Sequence, residues 1–512
     1  MPARSTHRRR RGSQGDCRSF GRLALCLTLG AIGAVAACKG GDEQAGPKPD
    51  SLEALEAEWP PHTKTCQAWT EDVLTSLPAL PSGPHVDSFD YVWRTLADKH
   101  YDPTLACLDW LALRDHYGAK VAEAGADAAA AYAAINEMLG LLGQSHLHAT
   151  APIATAAPTR ETGPATVPIV VRWLPVEPGS ERRAVVVVDE AVDGHASGLP
   201  RGAILTSVAG ESITELAEQT AKSVSDRGGR ATEAAFLVAR AVGATLSCPS
   251  GGSKTLGYLD PAQADAEVEL EVACFLPEGE RMSLGNLRDL PTVVAARMIA
   301  EPAPPEAPVN GPVLDAPIGY LAFNFWMLPM APRIEAEVAK LRTAGMAGLI
   351  IDLRGNPGGV GSMSIPIARM LVREPVSLGR LQMREFNQEF KVEGDPDAFA
   401  GPVAILVDEG TASTSEIFAL GLRDVGRVQI VGAGPSAGMV LPSMIEELPD
   451  GGMIQYVVGD YHSAKGTAAE GDGVVPEVLV PESRADFVAG RDPVLDAAVA
   501  QLRADLARPP EN

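Results

Sequence analysis

Two stretches limit the fold more than anything else in the sequence: "GLIIDLRGNPGG", Gly348 to Gly359, and "PVAILVDEGTASTSEIF", Pro402 to Phe418. Each opens with a continuous apolar run of strand length. A strand that is apolar at every position must be covered on both faces, as in a parallel sheet held between helices. The neighbouring pattern agrees. "IGYLAFNF" and "RVQIVGAG" read as further strands, and "PRIEAEVAKLRTAG", "SIPIARMLVRE" and "SEIFALGLRDVG" as the helices between them. In such sheets the functional loops lie at the carboxyl ends of the strands. "RGNPGG" and "GTASTS" both lie there.

The second loop places four hydroxyl residues, Thr411, Ser413, Thr414 and Ser415, in front of Glu416. Two readings fit. Ser413 and Glu416 have the Ser-x-x-Glu spacing of a capping box, in which each side chain satisfies a backbone N–H of the other. Alternatively, one serine is a nucleophile at a helix N-terminus, where free N–H groups and the helix dipole favour a developing oxyanion.

The chain starts with an arginine-rich segment, then an uncharged run from Leu23 to Ala37, "LALCLTLGAIGAVAA", and then Cys38. A span of the bilayer needs about 20 residues, so this run is short for one. A basic region, a short apolar region and small residues before a cut describe an export signal. "VAAC" matches a bacterial lipobox, which predicts removal of residues 1–37 and lipidation of Cys38. Lys39, in place of the aspartate that retains lipoproteins at the inner membrane, favours the outer membrane as the address, facing the periplasm or the exterior. The whole chain carries −23; the leader holds seven arginines against one aspartate, so the remainder carries −29. Bulk electrostatics therefore exclude nucleic acid as a partner. The four remaining cysteines fall into two regional pairs, predicted as Cys66–Cys107 and Cys248–Cys274 disulfides in an oxidising compartment, although four cysteines allow three pairings. No cysteine or histidine spacing predicts a metal, and no cofactor is expected.

Residues 38–86 form a polar Gly/Pro tether and an N-terminal extension. Residues 87–150 read as a helical domain, from "FDYVWRTLADKHYD" through "DAAAAYAAINEMLGLLG". Residues 160–300 read as β-rich, 301–313 as a Pro-rich linker, and 314–500 as the α/β region described above. Within the β-rich part, "GHASGLPRGAILTSVAGESITEL", Gly194 to Leu216, predicts a short helix, a Gly-Leu-Pro turn, a strand and a hairpin. The segment resembles the middle of a PDZ domain.

Taken together, "LIIDLRGNPGG" and "VAILVDEGTASTSEIFA" closely resemble the S41 peptidase family, the tail-specific and C-terminal processing proteases. The helical segment and the PDZ-like module stand where that family has them. The resemblance implies a multi-domain α/β protein with a helical N-terminal domain, a PDZ-like β-rich module and a ClpP/crotonase-like core with parallel strands. It implies a hydrolase acting on peptide or unfolded protein substrates. By the same resemblance Ser413 is the nucleophile, and Thr414 with Gly358 and Gly359 supplies the oxyanion hole.

The tail-specific branch activates its serine with a lysine in the loop after the next strand. Here that position is Gly438, and the only lysine after Ser413 is Lys465. "LLGQSHLHA" instead resembles the Ser-His pair of the tricorn-like branch, which makes His146 the general base, Ser145 its neighbour in a tetrad and Glu470 the distal carboxylate. An unperturbed imidazole titrates near 6.5 and gives an activity rise through pH 6 to 7. His148 is a bystander on this reading. Asp424 reads as structural, tied to an arginine such as Arg427, and Asp352 and Arg354 as supports of the glycine loop. A different class of reading keeps the scaffold without the chemistry, as a peptide- or ligand-binding lipoprotein.

The lipobox yields a direct expectation. Metabolic labelling with a palmitate analogue tags the wild-type protein and not Cys38→Ala; equal labelling of both would leave an ordinary exported protein.

Overall fold

The computed structural model describes residues 74–152, 165–226, 229–284, 287–299 and 316–508. The leader, Cys38, the tether, Cys66 and the Pro-rich segment lie outside the described residues.

The N-terminal part of the described residues includes the helices Val86–Lys99 (α1), Trp110–Glu123 (α2) and Ala128–Gly140 (α3). Apolar residues three and four apart give each one a buried stripe. Phe89, Val92, Trp93 and Leu96 of α1 meet Leu113, Tyr117 and Val121 of α2 and Ile135, Met138 and Leu139 of α3. Asp109 and Asp127 start α2 and α3 by accepting the N–H groups of Ala112 and Ala130, both at 3.1 Å. The Trp93 and Trp110 rings stack at 6.1 Å, and each indole N–H donates to the other residue's carbonyl.

Just beyond α3 and a turn, His148–Thr150 (β1) pairs antiparallel with Met453–Val457 of the C-terminal region, His148 opposite Gln455. Leu448, Ile454 and Tyr456 complete the helical core from that side. This graft fixes the preceding residues, Ser145 and His146, against the C-terminal region.

The β-rich part is an antiparallel sheet of Val170–Pro175 (β2), Arg183–Asp189 (β3), Ile204–Val208 (β4), Ser253–Asp260 (β5) and Ala266–Ala273 (β6), in the order β6-β5-β4-β3-β2. Two helices, Ile213–Asp226 (α4) and Ala231–Thr245 (α5), pack with it. The short helix expected before Gly198 is absent: Ala191–Val192 pairs with His195–Ala196 around Asp193-Gly194. Both turn residues have positive φ, 50° and 78°. An Asp-Gly pair is a strong hairpin signal and outweighs the weak helical pattern after it. Cys248 and Cys274 are joined by a disulfide with Cα atoms 6.5 Å apart. Cys107 is also disulfide-bonded.

The C-terminal sheet runs Val294–Ile299 (β7), Ile318–Phe323 (β8), Gly348–Asp352 (β9), Val403–Val407 (β10), Gln429–Gly432 (β11) and Val478–Leu479 (β12), in that spatial order. β7 is antiparallel to β8; every other pair is parallel. Side chains alternate to two cores, as continuous apolar runs require. Leu349, Ile351, Val403, Ile405 and Val407 face Ala331–Thr343 (α6) and Thr414–Asp424 (α7). Ile350, Ala404 and Leu406 face Pro493–Ala507 (α8). The loops after β9 and β10 therefore emerge side by side.

Arg172 of β2 ties the β-rich sheet to this core. It donates to Glu409 at 3.0 and 2.6 Å and to Glu482, whose side chain is fully buried. Removing one partner of a buried ionic cluster leaves charge uncompensated, at a cost of about 3 to 5 kcal/mol. Arg172→Met is expected to lower unfolding stability by about that amount in urea titrations; an unchanged midpoint would show that the cluster carries little.

Candidate active site

Of the four hydroxyls in the loop after β10, three are tied into the scaffold. Thr411 Oγ1 donates to the Leu353 carbonyl at 2.8 Å, Thr414 Oγ1 to Gly359 O at 2.9 Å and Ser415 Oγ to Asn356 O at 3.0 Å. Ser415 also accepts the Trp326 indole N–H at 2.8 Å. These bonds lace the β10 loop to the glycine loop after β9. The Ser413 hydroxyl donates to no acceptor among the described residues. Ser413 is also partly exposed, between buried Ala412 and Thr414.

Ser413 adopts φ 56°, ψ −120° at the N-cap of α7. A non-glycine residue held there is strained, as at a strand-to-helix nucleophile elbow. What holds it is Glu416, which is fully buried. Its carboxylate accepts the N–H of Ser413 at 2.9 Å, of Gly438 at 2.8 Å and of Met439 at 2.9 Å, and the Ser436 hydroxyl. Burial nevertheless pushes the Glu416 carboxyl up to about 7. Sequence reasoning saw Glu416 only as a capping partner. The Ser-x-x-Glu spacing is a sufficient signal for the Ser413 N–H, but not for the donors of a loop twenty or more residues on.

The glycine loop leans on this turn. A side chain at Gly358, φ +97°, would meet Ser413 Cβ at 2.7 Å and Thr414 N at 3.0 Å. The oxyanion expectation needs one correction. The Gly358 N–H is committed to Asn356 Oδ1 at 3.0 Å, because the asparagine folds back over its own turn. Among the described residues the N–H groups of Gly359 and Thr414 donate to nothing, and those two remain for an oxyanion. Behind the loop, Arg354 binds Asp352 and Asp492, and Tyr320 donates to Asp352 at 2.8 Å.

The turn after α3 brings up Ser145, His146 and, from the loop past residue 462, Glu470. Ser145 N–H donates to Glu470 Oε1 at 2.9 Å, Ser145 Oγ to Glu470 Oε2 at 3.1 Å, and His146 Nδ1 lies 2.8 Å from Ser145 Oγ. A serine hydroxyl has one proton. If it goes to Glu470, Nδ1 must be the donor to Ser145, and the Nε2 lone pair is left outward as an acceptor. Val440 N–H donates to Glu470 Oε2 at 3.0 Å, and the adjacent Met439 carbonyl accepts the Ser413 N–H at 2.9 Å. One peptide thus separates the serine turn from the Glu470–Ser145–His146 chain.

Burial, with the charge of Arg240 adding to it, lowers the His146 imidazole to about 4. The expected histidine titration at pH 6 to 7 is thereby corrected: the ring is neutral throughout that range. Burial raises the Glu470 carboxyl against the donors that face it. His148 sits in β1, past the turn.

Lys465 is exposed, and its backbone N–H reaches Asp424 at the far end of α7. At 1.5 Å per residue, eleven residues put that end about 16 Å from Ser413. Asp424 pairs with Arg423 at 3.3 Å and not with Arg427, whose guanidinium is spent on the carbonyls of Leu371, Phe399 and Gly401. Gly438 has φ +72°, and a Cβ there would lie 2.7 Å from the Gly471 carbonyl carbon. No lysine fits that position. Among the described residues no three His, Cys, Asp or Glu side chains gather to hold a metal ion.

The chain is similar to known proteins in sequence and in fold. Residues 317–480 match the model of peptidase family S41, and residues 86–140 that of the Tricorn protease C1 domain. The carboxyl-terminal-processing protease of Picosynechococcus sp. is 30% identical over 165 residues, 32% of this chain and 39% of that protein. The carboxyl-terminal-processing protease of Synechocystis sp. is 29% identical over 193 residues, 37% of this chain and 45% of that one. The chain thus spans under half the length of these relatives. Among solved structures, the photosystem II D1 C-terminal processing protease has the same fold, with a TM-score of 0.51 at 20% identity over 83% of this chain and 99% of that one.

Gly438→Ala is expected to cost about 1 to 3 kcal/mol from left-handed strain alone, before the contact with Gly471. A denaturant midpoint equal to wild type would show that the loop gives way.

Proposed function

We propose that this chain, which belongs to peptidase family S41, is an exported serine endopeptidase working through an acyl-enzyme on Ser413. The observation that carries the reading is the sorting of the hydroxyls: three are spent on lacing two loops together, and the fourth is held strained with no acceptor for its proton among the described residues. In the proposed reaction Ser413 Oγ attacks a peptide carbonyl while His146 Nε2 takes its proton. The tetrahedral oxyanion rests on the N–H groups of Gly359 and Thr414. His146 then protonates the leaving amine as the C–N bond breaks, and water, deprotonated by the same nitrogen, releases the acyl group.

Glu470 acts through Ser145. It orients the ring, fixes the Nδ1–H tautomer and stabilises the imidazolium that forms in each step. A base whose conjugate acid is disfavoured by burial gains most from such a partner. The PDZ-like module captures an extended peptide by strand addition. Its loop, Gly198 to Gly202, departs from the usual carboxylate-binding pattern, so capture by a C-terminus is not required of it. The lipid on Cys38 holds the enzyme at the envelope.

His146→Ala and Ser413→Ala each remove nearly all turnover of a peptide substrate, a loss on the order of 10³-fold or more. His148→Ala is mild and Lys465→Ala silent. A silent His146→Ala beside a dead Lys465→Ala would overturn the proposal.

The pH dependence follows from the burial of three groups. Glu416, Glu470 and His146 all have to be in their deprotonated forms, so activity falls on acidification and is flat above pH 8. The first loss is expected near pH 7, as Glu416 takes a proton and the loop donors lose their acceptor. His146 contributes only toward about pH 4. An activity that climbs through pH 8 to 9 would point to an amine base instead.

A further inference from the structure

Helix α5, Ala231–Thr245, has two unlike faces. Val238 and Val242 belong to the β-rich module's own core. Phe236 and Leu237 instead pack on Ala412, next to Ser413 in the chain, on Met439, whose carbonyl accepts the Ser413 N–H, and on Ala437, which donates to Thr411 O. The start of the helix grips the loop of the distal carboxylate: Thr232 Oγ1 donates to Gly471 O at 2.8 Å, and Arg230 pairs with Asp472. The helix therefore runs along one wall of the site.

Arg240 lies one turn beyond Phe236 on the same face, its guanidinium over the Phe236 ring at 5.5 Å. It is mostly covered, and among the described residues it makes no ion pair and no hydrogen bond. Arg427 is spent on the carbonyls of Leu371, Phe399 and Gly401, and four other enclosed arginines are ion-paired. Arg114 pairs with Asp90, Arg172 with Glu409 and Glu482, Arg354 with Asp352 and Asp492, and Arg484 with Asp265. In a chain with 66 acidic residues against 43 basic ones, a covered guanidinium with neither an acid nor a carbonyl for a partner is the exception. Leaving it so costs free energy that a local carboxylate would have recovered. Its charge reaches His146, where it works against protonation of the base.

We propose that Arg240 is a specificity residue that receives a carboxylate of the substrate next to the scissile bond. The anion is either an acidic side chain or the free C-terminal carboxylate of the peptide. Either one supplies the partner that the protein withholds, and a planar guanidinium can hold it with two hydrogen bonds. Binding that anion also offsets the positive charge beside His146 as the imidazolium forms. The inference rests on the serine peptidase reading and adds to it a substrate class.

The test compares three peptides of one sequence on the full-length protein: one ending in a free carboxylate shortly after the cleaved bond, its C-terminal amide, and the amide with a glutamate beside the bond. Wild type is expected to cleave one carboxylate-bearing peptide roughly 10- to 100-fold better in kcat/KM than the plain amide, as for a hydrogen bond to a charged group. The preferred peptide identifies the source of the anion. Arg240→Gln is expected to erase the preference and Arg240→Lys to keep part of it. Equal rates on all three peptides in a wild-type protein that a fluorophosphonate labels would overturn this inference alone. So would an Arg240→Gln variant that keeps the preference while its acid limb moves, since the arginine would then act only on His146. A wild-type protein that takes no fluorophosphonate would instead remove the serine reading beneath it.

Discussion

Everything in the candidate site leans on the buried carboxylate of Glu416. It collects donors from its own turn, Ser413, and from a separate loop, Ser436, Gly438 and Met439. An anion without those donors would not stay charged in such a place, and those N–H groups without the anion would be orphaned. The strained backbone of Ser413 persists because this set over-determines it. The same loop then offers Val440 N–H to Glu470. A chain of acceptors, Glu416, the Met439 carbonyl and Glu470, thus runs from the proposed nucleophile to the proposed base.

Much of this was legible in the sequence, for physical reasons that differ from place to place. The β9 and β10 runs could only be strands covered on both faces, so the adjacency of their loops followed. Ser145-His146 and Glu470 were legible only through a family resemblance, because residues 325 positions apart leave no local signal. What brings them together is a strand graft, β1 onto Met453–Val457, and three residues of strand are too few to show a period. At Asp193-Gly194 the turn dipeptide makes a hairpin where the resemblance to a PDZ domain implies a short helix. Arg240 was missed altogether. An arginine on an amphipathic helix looks like any solvated one until the absence of its partner can be seen.

The position of Gly438 explains why a histidine-based site suits this chain. A left-handed backbone pressed against the Gly471 carbonyl has no room for a side chain, and the N–H of that residue is needed by Glu416. The geometry that anchors the serine turn therefore occupies the place from which a lysine would have to reach it. The proposed base comes from the helical domain instead, held through Ser145 and Glu470. The β-rich module leans on the same loop through Thr232 and on the sheet through Arg172, so three parts of the chain converge on one turn.

The central claim is that Ser413 alone among the clustered hydroxyls is activated. Peptide mapping by mass spectrometry after brief exposure to a fluorophosphonate tests it most directly. The account predicts a single adduct, on Ser413, that fails to form in Glu470→Ala. An adduct on Thr411, Thr414 or Ser415, or labelling of Ser413 that is indifferent to Glu470, would contradict it.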